Sequence, residues 1–223
     1  VIASGAIRVV RLDEIFRQAQ KSMIVTNAHR INEGLPPELD QADSDFLFED
    51  VPSQDRILAR ILELCTRPRG VLATSDPLMD VQVLAPMKKG VLGVWNINSQ
   101  LQAALNPPEK GKHEHISGDV TFREGDRVMQ MKNNYRVEWR RKLPGGGTED
   151  GAGAFNGDLG TIYRLSELDR TISVLFDDER LAVFDFTHLD ELDLAYCISI
   201  HKSQGSEFPV VILPMFGSAS PMM

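Results

Sequence analysis

The segment that most constrains the fold is VQVLAPMKKGVLGVWNINSQLQAALN, residues 81–106. Its first six residues are mostly apolar and strand-forming, which predicts a buried strand over 81–86. A loop that contains glycine follows, and after it the pattern predicts a helix that ends at Pro107 and Pro108. A strand, a loop and a helix in this order form half of a parallel βα unit. We therefore expect an α/β domain.

Two further helices are predicted before this unit. Residues 12–34 carry apolar side chains at helical spacing, and Gly34 is a plausible stop signal. Ser53 is positioned to cap a second helix, SQDRILARILELCTR, in which the apolar residues form one stripe. Between them lies a proline-rich acidic loop, and DFLFED, residues 45–50, predicts a short strand.

The segment after residue 116 has a different pattern, in which apolar and polar residues alternate with period two. Asn-Gly-Asp at 156–158 and Asp-Asp at 177–178 predict turns between short strand-forming stretches. Several short strands at close spacing predict a small β-barrel. The glycine-rich stretch 143–154 predicts a mobile hairpin tip. Residues 191–213 then return to a strand, a helix and a strand.

Charge is distributed unevenly over a chain whose formal net charge is −8. This total argues against a purely electrostatic nucleic-acid binder. Residues 36–55 hold seven acidic residues and no basic ones, which is typical of a solvated surface. Residues 123–142 hold seven basic residues against three acidic ones, and Tyr135 and Trp139 lie among them. Basic residues interleaved with aromatic ones leave open a surface for nucleic acid.

The cysteines and the apolar runs bear on the cellular compartment. Cys65 and Cys197 lie in apolar segments, which predicts buried thiols in a reducing compartment. No apolar run approaches the roughly 20 residues that a bilayer span needs. The first residues lack the basic and apolar regions of a signal peptide. We expect a cytoplasmic protein with no membrane partner.

Four stretches occur in order along the chain and carry a resemblance. They are RLDEIFRQAQ (11–20), VLAPMKKGVLGVWNINSQLQAALNP (83–107), EGDRVMQMKNNY (124–135) with AFNGDLGTI (154–162), and SIHKSQGSEFPVVIL (199–213). Together they resemble the C-terminal part of a RecD-like superfamily 1 DNA helicase. The chain is most similar to the stand-alone RecD2 class, relatives of the exodeoxyribonuclease V alpha subunit. SIHKSQGSEF is the most specific part of this resemblance, which covers nearly the whole chain.

The resemblance implies an architecture and a function. Such helicases have two RecA-like lobes, with ATP between them and single-stranded DNA running across both. The chain resembles the second lobe, a P-loop NTPase-like motor domain with a parallel sheet, over residues 1–116 and 191–223. An SH3-like β-barrel would be inserted at 117–190. The implied activity is ATP-dependent translocation on single-stranded DNA, 5′→3′ by analogy, in DNA repair or recombination.

Parts of the helicase pattern are missing from this sequence. It contains no G-x-x-x-x-G-K-[ST] phosphate loop, and no Walker B acidic pair follows an apolar strand in a suitable place. A Thr-Arg-Ala-type segment, expected after residue 213, is also absent. We therefore expect an excised fragment that cannot hydrolyse ATP alone. Its partners would be the N-terminal RecA-like lobe of the same polypeptide, with ATP and Mg²⁺, and possible nuclease or helicase subunits.

Arg17 is the residue expected to act in catalysis. Phosphoryl transfer needs positive charge against the γ-phosphate as charge shifts in the transition state. By resemblance, the arginine of IFRQ reaches across the cleft from the second lobe, a contribution of roughly 10³–10⁵ in rate in related NTPases. The resemblance also implies that Gln18, Gln204, Gly205 and Glu207 face the nucleotide.

The resemblance implies contacts with the DNA backbone from two strand-to-helix loops, and contacts with the single strand from the barrel. Lysines supply charge, Gly90 and Gly93 allow close backbone approach, and a helix N-terminus after residue 199 would suit phosphates. Trp95 leaves open a stacking contact with a base, but its helical spacing from Gln102 favours packing in the core. The predicted DNA-binding residues are Pro86, Lys88, Lys89, Asn98, Lys132, Asn133, Tyr135, Ser199, His201, Lys202 and Ser203.

Two other interpretations stay open. The same lobe occurs in conjugative relaxase-helicases, where a nicking domain precedes the motor. Alternatively, the chain is a non-motor nucleic-acid-binding module in which the barrel is the binder. No metal site is predicted, because His113 and His115 flank Glu114 without a third and fourth ligand of recognisable spacing.

Overall fold

The computed structural model describes residues 22–39, 44–67, 73 and 75–217 of the 223-residue chain. Arg17 and Gln18 lie outside the described residues. The chain divides into two compact units, Val1–Val51 and Pro52–Met223. Of the helices in the described ranges, none combines the length and the apolar composition that a bilayer span requires.

The described ranges contain three α-helices and twelve strands. The helices are α1 (Met23–Asn32), α2 (Gln54–Thr66) and α3 (Val94–Leu105). The strands are β1 (Val81–Ala85), β2 (Glu114–Ser117), β3 (Val120–Arg123), β4 (Arg127–Gln130), β5 (Asn134–Lys142), β6 (Thr148–Ala154), β7 (Leu159–Ser166), β8 (Thr171–Phe176), β9 (Leu181–Asp185), β10 (Leu192–Leu194), β11 (Cys197–Ser199) and β12 (Val210–Ile212).

The first unit is organised around the start of α1. Ser22 caps this helix, since its Oγ accepts a hydrogen bond from Val25 N at 3.3 Å. The Ser22 hydroxyl also donates to Asp45 Oδ2 at 2.5 Å, which holds the pKa of that carboxyl below its usual range. The prediction of a strand at 45–50 is wrong, because Asp45 bonds to the helix start and no strand pairs with this segment within the described residues. Gly34 follows the helix at φ +77°, as a stop signal should.

Three parallel strands form one sheet of the second unit, in the order β11-β1-β12. The strand and helix predicted within 81–106 are confirmed as β1 and α3. The second helix is confirmed as α2, and Ser53 Oγ caps it by accepting from Arg56 N at 3.4 Å. The coarse prediction of an α/β fold with a parallel sheet is therefore confirmed.

Seven antiparallel strands form a second sheet, in the order β10-β4-β7-β8-β9-β5-β6. The turn residues at 177–178 connect the neighbouring strands β8 and β9 as predicted, and those at 156–158 lead from the end strand β6 to β7, which pairs with β4 and β8. No pairing joins the end strands β10 and β6 in the described ranges, so the predicted closed barrel is not confirmed. β10 extends this sheet to Leu194, beyond residue 190, and the proposed domain boundaries stay a prediction.

The glycine-rich stretch is mostly strand. Only residues 143–147 form the turn between β5 and β6, and the remainder, up to residue 154, is β6 itself. A Cβ at Gly151 would lie 2.4 Å from the Trp139 ring, so a glycine is needed here for the indole to pack across the strand. The prediction of a mobile tip over 143–154 is therefore wrong for its second half, where glycine provides space for an aromatic ring.

One apolar core runs through both sheets of the second unit. It joins Ile61 of α2, Val83 of β1 and Leu101 of α3 to Phe122 and Phe184 of the antiparallel strands. All five are almost fully buried. Because the core is continuous, the two sheets stabilise one another.

A buried polar cluster crosses the same junction. Asp126 is fully buried, and its carboxylate accepts four hydrogen bonds from three segments. The donors are Gln102 Nε2 (2.6 Å), Asn106 Nδ2 (2.7 Å), Arg123 N (2.7 Å) and the Tyr196 hydroxyl (2.8 Å). Burial raises the pKa of Asp126, and the bonds from Asn106, Tyr196 and Gln102 oppose that effect. Burial and the Asp126 charge raise the pKa of Tyr196, so this hydroxyl stays a donor.

Candidate nucleic-acid interface

Two of the predicted DNA-binding loops begin side by side. β1 and β11 are parallel, and Ala85 lies opposite Ser199 at their carboxyl ends. The loop that starts at Pro86 and the segment that starts at Ile200 therefore leave the same edge of the sheet. In open parallel sheets, ligands bind outside the carboxyl ends of the strands.

The first loop exposes two cations and an aromatic ring. Lys88 and Lys89 are exposed, and neither forms an ion pair with a residue that the structure describes. Lys89 Nζ lies 5.5 Å from the centroid of the Trp95 ring. Trp95 is 53% exposed, so the prediction that it packs in the core is wrong. A Cβ at Gly93 would lie 2.5 Å from the Lys89 carbonyl, which restricts this position to glycine.

The second loop is shorter than predicted. The helix expected after residue 199 is a single 3-10 turn, Ile200–Ser203, because the chain must reach β12 by residue 210. A turn of this length offers no helix N-terminus for a phosphate, and that part of the prediction is wrong. Ser203 Oγ donates to Ile200 O at 2.8 Å, while His201 is exposed.

A chain of hydrogen bonds joins this loop to the antiparallel sheet. Lys202 Nζ donates to Asn156 Oδ1. The backbone N–H of Asn156 in turn donates to Asn133 Oδ1 at 2.9 Å. Two residues that the sequence predicted separately as DNA contacts, Lys202 and Asn133, therefore belong to one surface. Asn156 was predicted only as a turn residue.

Aromatic side chains lie on the same surface. Tyr135 follows the Lys132–Asn134 segment and is 69% exposed. It packs edge-to-face against Phe155, with ring centroids 5.7 Å apart and an interplanar angle of 76°. Phe155 was not predicted as a site residue, and the signal that could have found it is its place directly before the Asn-Gly-Asp turn. Lys132 Nζ lies 2.5 Å from Asp190 Oδ2, and this bond raises the pKa of Lys132.

Asn98 does not belong to this surface. It is 3% exposed, and its amide Nδ2 donates to the carbonyls of Leu194 and Cys197 at 3.0 and 2.9 Å. Its Oδ1 accepts from Cys197 N at 2.8 Å. The helix turns this side chain towards β10 and β11, away from solvent. The prediction of a DNA contact for Asn98 is corrected to a structural role.

Arg127 and Asn134 of the antiparallel sheet are also engaged within the protein. Arg127 is 5% exposed and forms a bidentate ion pair with Asp177, in which both N–O distances are 2.5 Å. Asn134 Nδ2 donates to Glu191 Oε2 at 2.8 Å. His115, from the His-Glu-His stretch, bonds to Glu167 at 2.9 Å and stacks on Phe186. These contacts give all three residues a structural function.

The segment 200–209 crosses from one edge of the parallel sheet to the other. Val210 lies opposite Val81 at the amino ends of β12 and β1, so Glu207 lies at the edge opposite Lys202. Ser206, Glu207 and Phe208 line a cleft of about 320 Å³ there.

The lining of this cleft is rich in carboxylates. Asp158, Asp177 and Asp178 line it with Glu207, and the two arginines that line it are paired with those aspartates. A phosphate would meet excess negative charge among these residues. The nucleotide contacts predicted for Gln204, Gly205 and Glu207 stay predictions; Gln204 and Gly205 are exposed, and Gly205 has φ +88°.

Family models match two parts of the chain. The ATP-dependent RecD-like DNA helicase SH3 domain matches residues 97–176, and the UvrD-like helicase C-terminal domain matches residues 194–223. These two matches, together with the parallel sheet and the loops at the carboxyl ends of its strands, indicate an α/β chain of helicase type.

Two known proteins are similar to larger parts of the chain. The chain is 30% identical to the ATP-dependent RecD2 DNA helicase of Deinococcus radiodurans over 96% of its own length and 26% of the relative. It is 32% identical to an uncharacterized protein of Methanocaldococcus jannaschii over 60% of its length and 12% of that protein. Together these matches support a fragment of a RecD-like superfamily 1 helicase, and the chain spans about a quarter of the length of the Deinococcus relative.

Solved structures give weaker matches. A structure of two coordinating Pif1 helicases at forked double-stranded DNA is 19% identical, with a TM-score of 0.46, over 90% of this chain and 42% of that one. Bacteroides sp Pif1 in complex with ADP-AlF4 is 18% identical, with a TM-score of 0.36, over 74% of this chain and 43% of that one. Because both TM-scores lie below 0.5, we draw nothing further from them.

Proposed function

We propose that the chain is the second motor lobe of an ATP-dependent helicase that moves along single-stranded DNA, 5′→3′ by analogy. The similarity to the Deinococcus helicase supports this role. In this proposal, residues 1–116 and 191–223 form the motor lobe, and 117–190 form an inserted SH3-like domain. ATP and Mg²⁺ bind between this lobe and an N-terminal RecA-like lobe of the same polypeptide.

The observation that carries the proposal is the connection of Lys202 to Asn133 through Asn156. It unites the most specific helicase stretch, SIHKSQGSEF, with the MKNNY stretch of the antiparallel sheet. Lys88 and Lys89 lie in the loop after β1, which starts at the same edge of the sheet as the SIHKSQGSEF stretch. The result is a solvent-exposed surface with cations, which suits the phosphates of a single strand.

The segment 200–209 gives the proposal a means of coupling. Its first residues lie at the proposed DNA edge, and Glu207 lies at the opposite edge of the sheet. We assign Gln204, Gly205 and Glu207 to the nucleotide side, with Gln18 and the catalytic Arg17. Since the cleft beside Glu207 is rich in carboxylates, positive charge for the γ-phosphate would come from Arg17 and from the companion lobe.

The sequence has no phosphate-loop motif, so the chain by itself should not hydrolyse ATP. We place the protein in the cytoplasm and expect a function in DNA repair or recombination. The matches give no support for an exodeoxyribonuclease V subunit, and we leave a nuclease complex out of the proposal.

ATP hydrolysis by the intact protein, with and without a single-stranded oligonucleotide, tests the proposal. We expect the oligonucleotide to stimulate turnover strongly, because the two lobes would close on DNA and nucleotide together. No turnover under either condition would contradict a motor function. DNA binding by residues 117–190 alone, with no effect of nucleotide, would favour the non-motor module.

A further inference from the structure

Tyr135 and Phe155 form an exposed aromatic pair that the proposed function does not explain. Their exposed fractions are 69% and 41%, whereas Phe176 and Phe184 of the antiparallel sheet are almost fully buried. Two neighbouring rings that stay in solvent leave apolar surface uncovered. An edge-to-face arrangement leaves ring surface available to a third planar group.

The backbone holds Phe155 in place without a ligand. Phe155 N donates to Asp158 Oδ2 at 2.9 Å, and Asp158 N donates back to Phe155 O at 2.9 Å. Arg180, which is 9% exposed, binds the same Asp158 carboxylate at 2.7 Å. Gly153 has φ +122°, and a Cβ there would lie 3.0 Å from the Phe155 ring. The Phe155 ring therefore packs against the backbone of Gly153, and the two hydrogen bonds with Asp158 hold the Phe155 backbone in place.

Tyr135 is placed by an irregularity of its strand. The pairing of β5 with β6 shifts register between Asn134 and Glu138, and Tyr135 lies within this interval. Asn134 is anchored by its bond to Glu191, and Asn134 Oδ1 accepts from Arg136 N at 3.0 Å. These bonds fix the backbone on both sides of Tyr135. A binding surface that is ordered beforehand loses less conformational entropy when a ligand binds.

One cation is bonded to the residue next to the pair, and a second follows Tyr135 in sequence. Asn156, the residue after Phe155, accepts the bond from Lys202 Nζ. Arg136, the residue after Tyr135, is exposed and forms no ion pair with any residue in the described ranges. An ammonium group can bind a phosphate while an adjacent ring stacks on the base of the same strand. This combination is typical of surfaces that bind single-stranded nucleic acid without reading its sequence.

We infer that Tyr135 and Phe155 form a stacking platform for an unpaired base of single-stranded nucleic acid, next to a phosphate bound by Lys202. This inference rests on the proposed function and adds a base contact to it. Bases within a duplex are already stacked, so the platform selects single strands. Stacking is possible for every base, so no sequence preference is expected.

Equilibrium binding of the intact protein to oligo(dT) and to an abasic strand of the same length tests this inference. Phe155→Leu keeps an apolar side chain and removes the aromatic face. We expect this variant to bind oligo(dT) about tenfold more weakly, while its affinity for the abasic strand changes less than twofold. Tyr135→Leu should show the same selectivity. Tyr163→Leu is the control, because Tyr163 is 66% exposed on β7 and outside the pair.

The possible results separate the inference from the proposed function. Equal weakening of both strands, or no weakening of either, would overturn the platform while leaving DNA binding intact. If the unaltered protein binds neither strand, the proposed function itself fails, and the platform fails with it. Circular dichroism of each variant, matched to the unaltered protein, confirms that the affinities are those of folded protein.

Discussion

Two groups of polar residues connect distant parts of this chain, and they differ in burial. Around Asp126, hydrogen bonds join α3, the antiparallel strands and Tyr196 inside the protein. Around Lys202, hydrogen bonds join the 3-10 turn to Asn156 and Asn133 at the surface. Both groups link segments far apart in sequence.

The difference teaches which polar residues stabilise the fold and which are available to a ligand. The Asp126 carboxylate accepts four hydrogen bonds and is fully buried, so it has no capacity for a further partner. An ammonium has three donors, and only one hydrogen bond of the Lys202 ammonium is present among the described residues. The buried group maintains the structure, and the exposed group can bind an anion.

The largest effect is expected from Asp126→Ala. It leaves the donors of Gln102, Asn106 and Tyr196 buried without their acceptor, at about 1–3 kcal/mol for each group. We expect the free energy of unfolding to fall by about 3 kcal/mol or more, measured by urea denaturation. Asp119→Ala is the control, because Asp119 is exposed. A loss below about 1 kcal/mol would mean that the buried cluster does not hold the two sheets together.

A smaller loss of stability is expected from Asn98→Ala. Its amide bonds to the backbone of residues 194 and 197, so the substitution strands a buried N–H and two carbonyls. We expect the free energy of unfolding to fall by about 2 kcal/mol. The affinity of the folded variant for an oligonucleotide should be unchanged. Weakened DNA binding with full stability would restore Asn98 to the DNA surface.

The two buried thiols should make the free energy of unfolding depend on pH. Burial raises the pKa of Cys65 to about 11 and that of Cys197 to about 12, from an ordinary value of 9.0. Above pH 9, the unfolded chain loses the two thiol protons, while the folded chain keeps them. This stabilisation is complete below pH 9 and should be lost as the pH rises towards 11–12.

Urea denaturation from pH 8 to pH 10.5 measures this loss. Replacement of both cysteines by alanine should lower stability at pH 8 and flatten the pH dependence above 9. Both thiols should also resist alkylation in the folded protein and react after denaturation. Rapid alkylation of Cys197 in the folded protein would show that β11 is more accessible than the structure indicates.

The regular elements around α3 were predictable from sequence, because their signals are local. Proline marks the end of α3, and Ser53 marks the start of α2. The short segment after β11 was not predictable, since SIHKSQG reads equally as a helix start, and only the position of β12 limits it to one turn. Gly151 was predicted to lie in a mobile tip because the residue that requires a glycine there, Trp139, lies on another strand.

The site was predictable as a set of segments but not as a surface. Sequence grouped Asn98 with Lys202, because both are polar residues in stretches that resemble helicases. The direction of each side chain depends on tertiary packing: α3 turns Asn98 inward, and the 3-10 turn leaves Lys202 at the surface. Phe155 was missed because its only local signal is its place directly before the Asn-Gly-Asp turn, and the exposure of an aromatic ring is decided by tertiary packing.

The most direct test of the exposed group is the salt dependence of single-stranded DNA binding by the intact protein with Lys202→Ala. Loss of one phosphate contact should weaken binding several-fold at 0.1 M salt and reduce the slope of log K against log salt concentration by about 0.7. Lys110→Ala, at an exposed lysine in a different segment, is the charge-matched control and should leave the slope nearly unchanged. The free energy of unfolding should change by less than about 0.5 kcal/mol in both variants. A slope that is the same for Lys202→Ala and the unaltered protein would contradict a phosphate contact at the surface that joins the two sheets.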